Sequence, residues 1–325
     1  MTKVSVVIPF YQRTEGLLKN AVLSALNQKT RANVQVVVVD DGSPVPARKE
    51  LQEIFRDHPA SIRLVEQANA GNPGAANTGI DHVSPDTDII AFLDSDDTWA
   101  ESHIERAVWA IENGYDLYFS DFYQLGQTVT AFNRAGRIKL EDHLRIHPTQ
   151  PIYEYVGDMV NQILTGNILG VSTIAYNYGR FSNLRYRADF RHTGMEYILF
   201  VNLASKSRKI AFSSDPECTY GPGVNIFSDS GWGTDKYLRV LHDIIKYKKY
   251  LLDSMELTDS QRTLLTTSLR NHRIDYAKGL FHNLASNRKV DPRLLWRQLQ
   301  LDPQTFLILP FVPGLAIYKL FRGNA

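Results

Sequence analysis

The segment Ile89-Ile-Ala-Phe-Leu-Asp-Ser-Asp-Asp-Thr-Trp99 begins as an apolar run and ends in three carboxylates. That is the layout of a buried parallel strand delivering acids to its carboxyl end. Residues two apart in an extended segment point the same way. Asp94 and Asp96 are therefore expected to converge on one cation or one set of phosphates, with Ser95 facing elsewhere. Spacing alone does not single them out, because Asp86-Thr87-Asp88 repeats the pattern a few residues upstream. An isolated Asp-x-Asp is ordinarily a solvated turn or a helix cap. What distinguishes Asp94 and Asp96 is the apolar strand in front of them and the company of further motifs.

Two such motifs lie upstream. Asp40-Asp41-Gly42-Ser43 closes the apolar stretch Val34 to Val39, and ligands of open α/β sheets bind beyond the carboxyl ends of strands. Asp40 or Asp41 could accept a hydrogen bond from a base or ribose, or only shape a turn. In Asn69-Ala-Gly-Asn-Pro-Gly-Ala-Ala-Asn-Thr-Gly79, Gly71 and Gly74 allow close backbone approach to a ligand. Pro73 suits the first turn of a helix reaching about Val83, whose free amides favour an anion or a base edge. The segment lacks the Gly-Lys-Ser/Thr of a phosphate loop, and its glycines follow the third strand rather than the first, which argues against a dinucleotide dehydrogenase. Farther on, Gly194-Met-Glu-Tyr-Ile opens a helix with Glu196 in its first turn, where an acid also simply complements the dipole.

The elements that must position these groups alternate. Val4 to Pro9 reads as a buried strand, Glu15 to Gln28 as an amphipathic helix, and Val34 to Val39 as a second strand. A crossover unit of this kind builds a parallel sheet. A short helix from Arg48 to Phe55, a strand from Ser61 to Glu66, a helix from about Glu101 to Asn113 and a strand from Asp116 to Asp121 continue the pattern. Phe122 to Gln150 is patternless and reads as an excursion over the sheet. Tyr153 to Leu164 looks helical, Asn167 to Tyr176 strand-like, and Gly194 to Ser205 helical. The glycine- and serine-rich stretch Tyr220 to Gly233 reads as a mobile loop. Two helices follow, Thr234 to Met255 and Asp259 to Asn287. The expectation is an α/β fold over residues 1–225, in two halves (1–97 and 98–225), with a C-terminal helical region over 226–325.

Composition sets the outer bounds. The chain has 325 residues, with 36 basic against 35 acidic side chains, so nothing in its overall charge points to nucleic acid. Its single cysteine, Cys218, cannot form an internal disulfide, which fits a reducing compartment. The start, Met1-Thr-Lys followed at once by a strand-like run, does not resemble a signal peptide, and a cytoplasmic location is expected.

Taken together, the motifs resemble the family 2 glycosyltransferases, inverting enzymes of the GT-A type, over roughly Val4 to Ala204. The resemblance rests on Val4-Ser-Val-Val-Ile-Pro9, the Asp-Asp-Gly-Ser turn, the Asn-x-Gly segment, Asp94-Ser-Asp-Asp97 and the helix from Gly194. It implies a mostly parallel central sheet flanked by helices, with residues 1–97 as a nucleotide-sugar-binding half and 98–225 as an acceptor half. It also implies a nucleotide diphosphate sugar as donor, most simply a UDP-hexose, and Mg²⁺ or Mn²⁺ held through Asp96. Asp94 and Ser95 would sit beside the donor, Glu196 would be the catalytic base, and Pro9, Tyr11, Asp40, Asp41, Asn69, Gly71 and Asn77 would line the nucleotide. Within the family, the chain is similar to bacterial enzymes that extend exopolysaccharide repeats on a lipid carrier, including those of the succinoglycan type. Three departures stand out: Ala76 precedes Asn77 where many members have arginine, Met195 replaces a first acid, and Tyr220-Gly-Pro-Gly223 lacks a metal-binding histidine. The alternatives left open are a noncatalytic nucleotide-sugar binder, which Met195 and the missing histidine favour, and a sugar nucleotidyltransferase.

No uninterrupted apolar run reaches the ~20 residues of a spanning helix. The apolar tail Phe306 to Phe321 is broken by Pro310, Pro313 and Gly314 and is preceded by Arg288, Lys289, Arg293 and Arg297. It reads as a peripheral anchor on the cytoplasmic face of the inner membrane, or as a segment packed on its own domain or a second subunit.

Overall fold

The computed structural model describes residues 1–190, 193–223 and 230–312. They divide into two compact units. Residues 1–189 and 196–223 form the first; residues 190, 193–195 and 230–312 form the second.

The first unit opens with β1 (Lys3–Phe10), α1 (Leu17–Leu26), β2 (Asn33–Asp40), α2 (Ala47–Asp57), β3 (Ile62–Glu66), α3 (Asn72–Asp81) and β4 (Ile89–Phe92). These make the order β3-β2-β1-β4 with every neighbour parallel. The apolar runs of β1, β2 and β4 are buried, as strands covered on both faces require. Helix α3 lies very close to β1, because a β-carbon at Gly79 would stand 2.3 Å from Cγ1 of Val7. That approach fixes where the amino end of α3 emerges.

The chain continues through β5 (Thr98–Trp99), α4 (His103–Glu112), β6 (Leu117–Tyr123), α5 (Ala131–Ala135), β7 (Leu144–Arg145), β8 (Ile152–Glu154), α6 (Met159–Thr165), β9 (Ile174–Asn177), α7 (Tyr178–Phe181), α8 (Met195–Lys206) and β10 (Ile210–Thr219). The sheet runs on as β4-β9-β6-β10-β8-β7, with β9 antiparallel between β4 and β6, and β10 parallel to β6. The helix expected over Tyr153 to Leu164 is in fact β8 followed by α6. Pairing of Ile152, Tyr153 and Glu154 with β10 takes that stretch into the sheet, and Asp158 caps α6 by accepting from the Asn161 amide. Strand β10 itself went unanticipated. Its polar run Ser213-Ser-Asp-Pro-Glu217 hides the apolar signal of a strand, yet Glu217 is buried against Tyr118, Arg106 and His103.

The second unit holds α9 (Asp235–Ser254), α10 (Asp259–Ala285), α11 (Pro292–Leu301) and α12 (Gln304–Leu307). Its core joins Leu238, Leu241 and Ile245 to Leu269, Tyr276, Leu280 and Leu294. Asp302, fully buried, receives a two-pronged pair from Arg273 at 2.8 and 2.7 Å. Two hydrogen bonds in one plane compensate the desolvation that a single contact would leave. Helix α11 was not foreseen from the sequence, where its arginines read as a basic patch; Asp291 caps it and Pro292 occupies its first turn. Among the described residues no helix is long and apolar enough to cross a membrane.

Candidate active site

At the end of β4 the chain does not stay extended. The amide of Asp97 donates to the carbonyl of Asp94 at 3.0 Å, closing a turn over Asp94-Ser-Asp-Asp97. The alternation expected to align Asp94 with Asp96 therefore does not operate, and tertiary partners arrange the acids instead. Ser172, just before β9, accepts from the Asp94 amide at 2.9 Å and donates to Oδ2 of Asp97 at 2.6 Å. The Gly221 amide donates to Oδ1 of Asp97 at 3.0 Å, and the Gly223 amide donates to Oδ2 of Asp96 at 2.9 Å. Ser95 is buried, with Oγ accepting from Gln12 at 3.1 Å. Any contact of Ser95 with the donor would be additional to that bond.

Electrostatics confirm that the acids crowd one another. Burial, then the carboxylates of Asp97, Asp96 and Glu196, push Asp94 well above the usual carboxylate range, partly offset by a hydrogen bond from Asn72. Asp97 is pushed up to about 7, chiefly by burial. Burial also raises Asp96, against the lowering effect of the Gly223 amide. Low-dielectric surroundings and mutual repulsion both disfavour the charged forms. Such a corner is short of positive charge.

Glu196 lies in the first turn of α8, and burial raises its carboxyl above the ordinary value. Its charge is felt by Asp94, Tyr186 and Tyr220, so the base candidate and the acidic corner share one neighbourhood. Tyr186 packs edge-on against Phe92 at 5.4 Å, and Tyr220 stacks on Phe122 at 4.7 Å. Sequence reasoning did not single out Asn72, Ser172, Tyr186 or the Tyr220 ring. Asn72 stands within the Asn-x-Gly segment at the start of α3, whereas Ser172, Tyr186 and the Tyr220 ring come from distant parts of the chain that nothing local marks. Two further acids of this unit, Asp121 and Asp189, are engaged within the chain. Asp121 accepts from the amides of Phe122 and Phe132, and Asp189 pairs with Arg187 at 2.8 Å.

The nucleoside-side candidates surround the carboxyl ends of β1 and β2. Pro9 is buried within β1 and Tyr11 follows it, partly exposed. Asp40 accepts from the amides of Ser43 and Ala47, both at 2.8 Å, which ties the turn to the start of α2. Asp41 gathers the amides of Ala70 and Gly71 and the side chain of Gln67, while Asn69 donates to its carbonyl. Both carboxylates thus already shape this rim, and any contact with a nucleoside would be additional to that work. Gly71, at φ 80°, takes a left-handed turn that places those amides. Asn77 already has partners in the chain. Its amide nitrogen donates to the Tyr186 carbonyl at 2.9 Å and its oxygen accepts from the Tyr186 amide at 2.7 Å, which ties α3 to the Tyr186 backbone.

The upstream pair sits at the other end of β4. Asp86 is bridged to Lys3 and accepts from Ser84, and Asp88 accepts from the Lys3 amide at 2.9 Å. Of the expected mobile loop, residues 224–229 lie outside the described residues, as do 313–321 of the tail.

No cluster of three or more metal-ligating side chains occurs among the described residues. The site still fits a hard divalent cation. It offers oxygen donors, a surplus of negative charge and few protein ligands, and Mg²⁺ is commonly held by one or two carboxylates together with substrate phosphates.

A mixed, mostly parallel sheet flanked by helices, with acids at the carboxyl end of a central strand, is an architecture of the GT-A type. Residues 5–197 match the family Glycosyl transferase family 2, and the chain belongs to it. It is 28% identical over 328 residues to the succinoglycan biosynthesis protein ExoW of Rhizobium meliloti, covering 99% of this chain and 100% of that one. It is 31% identical over 259 residues to the glycosyltransferase GlyA of Streptococcus pneumoniae, covering 78% and 35% respectively. Among solved structures, Staphylococcus aureus TarS 1-349 in complex with UDP-GlcNAc superposes with a TM-score of 0.56 at 14% identity, covering 95% of this chain and 82% of that one. The mannosyltransferase PcManGT of Pyrobaculum calidifontis, in complex with GDP-Man and Mn²⁺, gives 0.56 at 16%, covering 98% and 82%. At those identities the likeness speaks for the fold.

Proposed function

We propose that this glycosyltransferase works with inversion, moving a hexose such as glucose from a UDP-linked donor to a saccharide acceptor carried on a lipid, as a step in building an exopolysaccharide repeat. The full-length similarity to a succinoglycan biosynthesis protein supports the acceptor class, and the UDP and UDP-GlcNAc complexes of TarS support the donor. The observation that supports the mechanism is the place of Glu196 in the first turn of α8, near enough to the acidic turn for its charge to bear on Asp94.

Glu196 accepts the proton of the acceptor hydroxyl as that oxygen bonds to the anomeric carbon, and the nucleoside diphosphate leaves with the electron pair of the broken bond. Burial raises the basicity of Glu196, bringing it nearer the working pH and making it a stronger base when ionised. Asp96, with Asp94 and Asp97 beside it, is the group to hold Mg²⁺ or Mn²⁺; when bound, the ion neutralises charge developing on the diphosphate. Tyr11, Asn69 and Gly71, with Pro9 behind them and the amides gathered by Asp41, form the nucleoside rim.

The test is Glu196→Gln. A surface acid that only complements a dipole contributes ~0.3–1 kcal/mol of stability, whereas loss of a general base lowers turnover by ~10²–10⁴. The variant should bind UDP and melt like wild type while turnover falls by that factor. Transfer at the wild-type rate would show that another group is the base.

The second unit is proposed to rest on the cytoplasmic face of the inner membrane. Trp296, Leu307 and Phe311 are 61%, 70% and 69% exposed, beside Arg293 and Arg297 on α11. Apolar insertion combined with basic side chains is an effective pair of membrane signals. Sedimentation with anionic vesicles checks this, and a full-length protein that ignores them would end the idea.

A further inference from the structure

Strand β10 does not stop at the sheet. Its last residues pair with β5, Cys218 opposite Trp99 and Thr219 opposite Thr98, directly after the acidic turn. The chain then passes over that turn. The Tyr220 amide donates to the Tyr123 carbonyl at 2.9 Å, the Gly221 amide to Asp97, and the Gly223 amide to Asp96. A β-carbon at Gly221 would lie 1.6 Å from the Asp96 carbonyl oxygen, and one at Gly223 would lie 2.2 Å from Oδ2 of Asp96. Neither glycine has a positive φ. What these positions require is closeness to the acids, not backbone freedom.

The base of the segment is pinned. Glu217 accepts from Tyr118, from Arg106 at 2.7 Å and from His103 at 2.9 Å, all within the buried interior. A strand anchored by three donors at one residue presents its continuation in a fixed place.

We infer that Gly221-Pro-Gly223 is a backbone strap that positions the acidic corner for its cation, engaging Oδ1 of Asp97 and Oδ2 of Asp96 through main-chain amides. The inference rests on the reading of Asp96 as a metal ligand and adds what orients its carboxylate. Carboxylates that ligate metals are commonly oriented by outer hydrogen bonds, and loss of such a partner costs ~10–100-fold in metal affinity. The amides act as positioning groups through Asp96 and Asp97. They supply from the main chain an orientation that a ligating side chain in the same stretch would otherwise impose.

The experiment is Mn²⁺ binding to the full-length protein at saturating UDP, read from the paramagnetic resonance of the free ion, with thermal melting alongside. Gly223→Ala should raise the Mn²⁺ dissociation constant ~10–100-fold, and Gly221→Ala should do the same. Gly231→Ala, where a β-carbon meets nothing within 4 Å, should match wild type. Asp96→Asn should weaken binding at least as much as Gly223→Ala. Weak binding in Asp96→Asn beside wild-type binding in Gly223→Ala overturns the strap alone. Unchanged binding in Asp96→Asn, or no Mn²⁺ binding by wild type, overturns the ligand reading and the strap with it. Should the glycine variants not fold, hydrogen exchange on wild type decides. The amides of Tyr220, Gly221 and Gly223 should stay protected on adding Mn²⁺ and UDP, and loss of protection would mean that the ion displaces the strap, contrary to the inference.

Discussion

Strand β4 carries an Asp-x-Asp pattern at each end, and the two ends have opposite chemistry. At its start, Asp86 stands 56% exposed and bridged to Lys3, while Asp88 caps the Lys3 amide. At its finish, Asp94, Asp96 and Asp97 share a buried corner whose partners are amides, hydroxyls and one another. Identical spacing thus yields a neutralised surface pair in one place and a charge-deficient pocket in the other. The difference lies in what is buried with the acids, not in their order.

The largest contrast should come from removing an acid at each end. Asp96→Ala is expected to abolish transfer measured with radiolabelled donor, whereas Asp86→Ala and Asp88→Ala should stay close to wild-type rates. An Asp86→Ala variant as impaired as Asp96→Ala would erase the distinction between the two ends.

The next effect is on pH dependence. Glu196 must be ionised to act, and burial raises its pKa, so kcat/KM should fall on acidification at a pH above the ordinary glutamate value of 4.5. The residual rate of Glu196→Gln should lack that limb. An acid limb identical in both proteins would assign it elsewhere.

Asp97 gives a stability effect of definite sign. The unfolded chain releases this proton near 3.8, whereas the folded chain holds it up to about 7. Between those values the folded state binds more protons, so the contribution is full below 3.8 and is lost as pH rises through 7. Asp97→Asn should therefore flatten the decline in melting temperature between pH 4 and 7, and an unchanged slope would remove Asp97 as its source.

Smaller still are the structural substitutions. Asn77→Ala leaves the Tyr186 backbone without two partners and should cost about 1–3 kcal/mol in denaturant unfolding. Asp86→Ala breaks an exposed ion pair and an exposed hydrogen bond from Ser84 and should change stability by ~0–1 kcal/mol.

Legibility followed the strength of local patterns. Strands β1, β2 and β4 are continuous apolar runs, and Pro73 with Gly71 marked the start of α3, so these elements could be read directly. Strand β10 was lost because Glu217 and its polar neighbours suit a strand only once Arg106, His103 and Tyr118 have been brought around them. The partners of Ser95 and Asn77 were equally hidden, because Gln12 and the Tyr186 backbone lie far from them in the chain.

The sequence by itself determined that acids stand at strand ends, that Glu196 opens a helix, and that the chain carries the motifs of family 2. Periodicity and motif order are local properties and survive without coordinates. Only the tertiary structure decided which acids keep an unmet charge and what holds them. The contact from Asp94 to Ser172 spans 78 residues and that from Asp97 to Gly221 spans 124. Both depend on β9 inserting between β4 and β6 and on β10 extending past the sheet. Sheet order is set by the packing of the whole unit, and no local pattern encodes it.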